Sequence, residues 1–258
     1  MKLDLEGRTH LVGGASRGLG RAVTAELVAG GARVLALSRT RETLDALREE
    51  LGDAVLPLAA DIAAPDAVAT VQRAVADAGG RLDGVVINGG GPPAGRALAL
   101  SDEQWLGAYE LLIGGPLRLL RALVPTLKAD DGGSVVFITS SSVRQPIPGL
   151  DTSNVLRPGV AALAKVLARE LGPEIRVNSV GPGRFDTDRG RSLDTARSQR
   201  EGISVEEARA AVEATIPLGR YGDPAELGRL VAFLLSDAGS YVSGAAVQVD
   251  GGSVTAVP

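Results

Sequence analysis

Between an apolar run and a helical stretch the chain reads Gly13-Gly14-Ala15-Ser16-Arg17-Gly18-Leu19-Gly20. Glycines at 14, 18 and 20 let backbone approach a bulky anion, and the free N–H groups of a helix's first turn face it. The chemistry this allows is capture of a pyrophosphate. A glycine-rich turn alone is weak evidence, but strand, turn and helix in this order are the context a dinucleotide site requires. The next apolar run ends Ala36-Leu37-Ser38-Arg39. An acid there would accept the adenosine ribose hydroxyls of NAD and repel a 2′-phosphate. Ser38 is neutral, and Arg39, joined by Arg17, is placed to pair with that phosphate. NADP(H) is therefore favoured over NAD(H).

Other chemistries are excluded by residue types. Gly14, Ser16 and Gly18 also fit G-x-S-x-G, the nucleophile turn of α/β-hydrolases. That machinery needs a histidine late in the chain, and the single histidine is His10, within an apolar strand pattern. Cysteine is absent, so disulfides, thiolate nucleophiles and cysteine-bound zinc are ruled out, and one histidine cannot make a multi-histidine metal site. Net charge is −4 with acids and bases mixed, which gives no basic face for nucleic acid or an anionic membrane. The first residues, Met1 to Gly7, carry no apolar signal core, and no apolar run approaches ~18 residues. A soluble, cytoplasmic protein is expected.

The elements that must position the glycine turn alternate regularly. Near-continuous apolar segments at Thr9–Gly13, Arg33–Leu37, Ala54–Leu58, Gly84–Ile87, Ser134–Thr139, Arg176–Val180 and Ala246–Val249 predict strands buried on both faces. Helical patterns are expected over Gly18–Ala29, Arg41–Leu51, Pro65–Ala78, Asp102–Leu127, about Val155–Leu171, and Pro224–Leu235. Ser101 with Gln104, and Asp223 with Pro224 and Glu226, supply start signals. The pattern predicts one α/β domain of 258 residues, a Rossmann-type doubly wound parallel sheet of about seven strands with helices on both faces. A polar, arginine-rich stretch from about 185 to 217, with a helical pattern only at Val205–Ala214, is read as a lid or substrate loop.

Together these segments resemble the short-chain dehydrogenase/reductase family over nearly the whole chain. Asp61-Ile62 resembles the pair that contacts adenine, and Asn88-Gly89-Gly90 the turn after the fourth strand. Pro182-Gly183 with Thr187 resembles the loop holding the nicotinamide carboxamide and phosphates. Gly222-Asp223-Pro224-Ala225-Glu226 and Val249-Asp250-Gly251-Gly252 are similar to the 3-oxoacyl-(acyl carrier protein) reductase branch. The resemblance implies hydride transfer between nicotinamide and a carbonyl or alcohol carbon. It also implies a catalytic Asn, Ser, Tyr and Lys, the last two spaced Tyr-x-x-x-Lys. Ser140 matches the serine, but the tyrosine place is Ser153, the lysine place Arg157 and the asparagine place Leu112.

No shift of register restores the pair, because the tyrosines are 109, 221 and 241 and the lysines 2, 128 and 165. A serine hydroxyl is too weak an acid to replace a phenol, and arginine stays protonated where lysine can relay. Ser140, Ser153 and Arg157 are the candidate catalytic residues, Arg157 also bonding ribose. Asp151 and Tyr109 are possible substitute acids, with Tyr109 expected to pack on the long helix. Ser153 is equally explained as a helix N-cap, and Pro158 requires the helix to start late or kink.

Three readings stay open. One is an NADP(H)-dependent oxidoreductase with a nonstandard proton donor, acting on a small-molecule carbonyl or an acyl chain. Another is a silent NADP(H) sensor or scaffold, and a third is dehydration or isomerisation in the same pocket. Apolar positions Leu111, Leu112, Ile113, Leu117, Leu120 and Val124, with Val160, Leu163, Val166 and Leu167, exceed what one sheet face needs. The resemblance implies a homodimer or homotetramer.

Overall fold

A computed structural model describes residues 3–129 and 132–256. Met1 and Lys2, part of the opening segment expected to carry no apolar signal core, lie outside the described residues. Seven strands run parallel in the order β3-β2-β1-β4-β5-β6-β7. They are β1 (Thr9–Gly13), β2 (Arg33–Ser38), β3 (Val55–Ala59), β4 (Gly84–Ile87), β5 (Gly133–Ile138), β6 (Ile175–Pro182) and β7 (Ala246–Val249). Register pairs Val12 with Ala36 on one side and with Val86 on the other.

Alternation along each strand builds two cores. Leu11, Leu35, Val85, Phe137 and Val177 point to one face, Val12, Val34, Val86, Val136 and Val180 to the other. The first face is covered by α3 (Ala67–Asp77), α5 (Gly115–Leu127) and α6 (Asp151–Glu170), with α4 (Asp102–Tyr109) packed beside α6. The second is covered by α1 (Gly18–Ala29), α2 (Arg41–Leu51) and, near the end of the chain, a helix over Pro224–Leu235. Between α6 and that last helix the chain forms α7 (Asp188–Glu201) and α8 (Val205–Glu213), which makes Pro224–Leu235 α9. No described helix is long and apolar enough to cross a membrane.

Three expectations need correction. The long helix is not uniform: Glu110–Gly114 forms a π turn joining α4 to α5, a device often found beside functional sites. α6 starts at Asp151, not near 155, and Pro158 lies inside it. Side-chain bonds hold that first turn from outside. Asp151 accepts from Ala97 N (2.9 Å), Thr152 donates to Pro93 O (2.7 Å), and Asn154 bonds both N and O of Ile147. Against these, the one N–H that proline lacks is a small loss. Finally, α7 went unpredicted because Asp188–Glu201 has almost no apolar face. Its signals were local ones, the Thr187 cap, the Arg197–Glu201 pair and left-handed Gly202 at its end.

Candidate active site

Where β1 and β4 part company their connections leave on opposite faces, opening a crevice at the carboxyl ends of the strands. A cavity of about 890 Å³ occupies it. The glycine turn forms one wall. Gly14 has φ +60°, and a Cβ there would sit 2.7 Å from Asn88 O. Gly18 also has positive φ, facing Thr187. Gly20 does not line the cavity; it is buried, and a Cβ there would overlap the Gly14 carbonyl oxygen. Its place is beneath the turn, letting the turn lie flat on α1.

Ser16, Arg17, Leu19, Ser38, Arg39, Asp61, Ile62, Asn88, Gly89, Gly90, Pro182, Gly183 and Thr187, the residues expected to hold the cofactor, all open onto this cavity. Arg17 and Arg39 are exposed, with no ion pair among the described residues. Asp61 turns its carboxylate inward to accept from Ala63 N (3.0 Å). The groups present fit a phosphorylated dinucleotide: a glycine cradle at a helix N-terminus, and two free guanidinium groups at the β2 end.

Ser140, Ser153 and Arg157 meet at the other end of the cavity. Ser140 Oγ accepts from Ser142 N (3.0 Å). Ser153, buried on the third residue of α6, has its Oγ 3.1 Å from Ser142 Oγ. It is not the N-cap, a place taken by Leu150. Arg157 reaches under the strand ends. Its Nη1 donates to Ile138 O (2.9 Å) and Thr139 O (2.8 Å), and its Nη2 to Gly90 O (2.9 Å). Burial, with Arg189 nearby, lowers its pKa to about 10, so it remains a cation at neutral pH. No carboxylate among the described residues pairs with it.

A family model described as enoyl-(acyl carrier protein) reductase matches residues 14–254. The chain belongs to the short-chain dehydrogenase/reductase family. It is 32% identical over 256 residues to a 3-oxoacyl-(acyl carrier protein) reductase of Thermotoga maritima, covering 98% of this chain and all of that one. An uncharacterized oxidoreductase of Mycobacterium tuberculosis is also 32% identical, over 96% and 92% of the two chains. L-sorbose reductase of Gluconobacter frateurii, solved with NADPH and L-sorbose, superposes with a TM-score of 0.93 at 29% identity over the whole of both chains.

Within this short-chain reductase scaffold, the replaced positions are not empty places. Leu112 is buried in the π turn and belongs to the apolar core, so a water relay has no polar anchor there. The substitute acids are elsewhere. Asp151 caps backbone outside the cavity, and Tyr109 is exposed on the outer face of α4, not packed as expected. The cavity walls among the described residues contain no tyrosine, histidine or lysine. Two functional candidates escaped the sequence reading: Arg184 follows the Pro182-Gly183 loop, and Arg189 opens α7. Recognising α7 as a helix would have placed Arg189 on its first turn, facing the cavity mouth.

Proposed function

We propose that this chain is an NADP(H)-dependent oxidoreductase acting on a carbonyl or hydroxyl substrate, with water as the proton source. One observation carries this reading: the glycine cradle, the Arg17–Arg39 pair and Ser140 share a single cavity. Its relatives named as 3-oxoacyl reductases, and the NADPH complex of L-sorbose reductase, support the same reaction class.

When bound, the nicotinamide would supply or accept the hydride. Ser140 Oγ accepts from Ser142 N, which leaves its own proton to donate to a substrate oxygen. Arg157 adds a fixed positive charge that stabilises a developing alkoxide. Ser153 sits behind, linked to Ser142, and orients that serine cluster. With no tyrosine, histidine or lysine among the described wall residues, turnover forgoes the ~10²–10⁴ that a positioned general acid supplies. Helices α7 and α8, over residues 188–213, serve as the lid.

Calorimetry with NADPH and NADH, followed by NADPH oxidation across a ketone panel, tests the proposal. Binding of NADPH with slow turnover on at least one ketone is the expected result. No binding of either coenzyme at millimolar concentration would overturn it.

A second reading is a silent NADP(H)-binding protein, favoured by the bonds that tie Ser153 to Ser142 and Arg157 to three backbone carbonyls. The double substitution Ser153→Tyr with Arg157→Lys separates the two. A rise in turnover of tenfold or more supports the enzyme, and continued silence with intact NADPH binding supports the binder.

A further inference from the structure

We propose that the cavity beside Ser140 holds an anion site, built by Arg157 and Arg189 to hold the carboxylate of a small oxo- or hydroxy-acid substrate. This rests on the proposed reductase function and deepens it by naming the substrate class.

Among the described residues five arginines line the cavity, at 17, 39, 157, 184 and 189, against two carboxylates. Both carboxylates are engaged, Asp61 with backbone and Asp188 with Arg191 (2.7 Å). Arg17 and Arg39 face the adenosine end. Arg157 and Arg189 lie close together at the turn after β4, Arg157 bonded to Gly90 O and Arg189 beside Gly91. Arg157 uses three N–H bonds on carbonyl oxygens, leaving two of a guanidinium's five for a ligand. Arg184 does not join them: its charge acts on Tyr221, whose hydroxyl donates to the buried Asp194. Arg189 reaches from α7 across the mouth, and a Cβ on Gly91 would stand 3.5 Å from its guanidinium. It makes no hydrogen bond or ion pair among the described residues.

Like charges placed this way repel, and no carboxylate among the described residues pairs with Arg157 or Arg189. Burial and the Arg189 charge both weaken the hold of Arg157 on its proton. An anion between them removes that repulsion and satisfies their free donors, with the bidentate geometry that guanidinium offers carboxylates. A carrier-bound acyl thioester brings no charge to this spot, so the site selects free acids over acyl chains.

The test uses pyruvate, acetoacetate and 4-oxopentanoate, each beside its methyl ester, titrated by calorimetry into the chain with and without saturating NADP+. At least one acid is expected to bind tenfold or more tightly than its ester. Arg189→Gln should abolish that preference while changing NADP+ affinity less than threefold, and Arg189→Lys should restore part of it. Equal binding of acid and ester in both conditions overturns the proposal. So does an Arg189→Gln chain that keeps the preference, or one that instead loses NADP+, which would assign the arginine to a cofactor phosphate. If NADP+ fails to bind while the acid preference appears in the free chain, the reductase reading falls and the anion site stands.

Discussion

Nη2 of Arg157 donates to the carbonyl oxygen of Gly90 across 2.9 Å, fastening α6 to the turn that ends β4. The same guanidinium holds Ile138 and Thr139 at the end of β5. It therefore ties the ends of β4 and β5 together on one side of the crevice. Buried carbonyls left without donors cost about 1–3 kcal/mol each, offset here by no longer burying a cation. Arg157→Met is expected to lower stability by about 2–4 kcal/mol. Urea denaturation measures this, and a loss below about 1 kcal/mol would show the clamp to be dispensable.

Arg39 stands exposed at the end of β2, where a 2′-phosphate would lie. A charged hydrogen bond of this kind contributes ~1.5–3 kcal/mol, or roughly ten- to a hundredfold in affinity. Arg39→Asp should weaken NADPH binding by that factor and leave NADH equal or tighter. Paired calorimetric titrations decide it, and an unchanged NADPH affinity would remove Arg39 from the site.

The glycine turn, Arg39 and Pro182-Gly183 were readable because each belongs to a local pattern: a turn between strand and helix, or a strand's end. Two-faced burial made β1 and β4–β6 visible for the same reason. What stayed hidden depends on contacts distant in sequence. α6 begins at Asp151 because Pro93, Ala97 and Ile147 hold its first turn, and no residue within 151–154 announces those partners. Arg157 reads as a lysine substitute facing ribose, and its bonds to the carbonyls of Ile138, Thr139 and Gly90 have no signal in the sequence around it. Of the apolar residues expected to pair between chains, Leu112, Leu120, Val160 and Leu167 are buried in this chain's own core.

The surface left for self-association is different. Leu106 and Tyr109 on α4, with Val155 and Val166 on α6, are exposed apolar side chains on neighbouring helices. Val155 and Val166 lie three turns apart, so they share one stripe of α6. Such a stripe is expected to pair across a two-fold axis, giving a dimer or larger assembly. Light scattering on the wild type and on Val155→Glu with Val166→Glu tests this. The variant should run as a smaller species, and a monomeric wild type would refute the prediction.

His10 in β1 links stability to pH. It is fully buried, and neither ring nitrogen has a partner among the described residues. Burial lowers its pKa from 6.5 to about 4, with the Asp83 charge opposing and Arg8 assisting. The folded chain thus binds fewer protons than the unfolded one between those values. Stability is full above pH 6.5 and falls as pH drops toward 4, by about 3 kcal/mol if His10 acts alone. Asp83 adds an acid-side loss of its own: burial opposes its ionisation, yet bonds from Arg81 and Thr9 still hold its pKa below the ordinary value. Replacing His10 isolates its share. His10→Leu conserves an apolar filling of similar size and should cost under about 1.5 kcal/mol at pH 8. Between pH 6.5 and 4 its urea midpoint should decline much less than that of the wild type. Parallel curves for the two chains would mean that the histidine does not control acid stability.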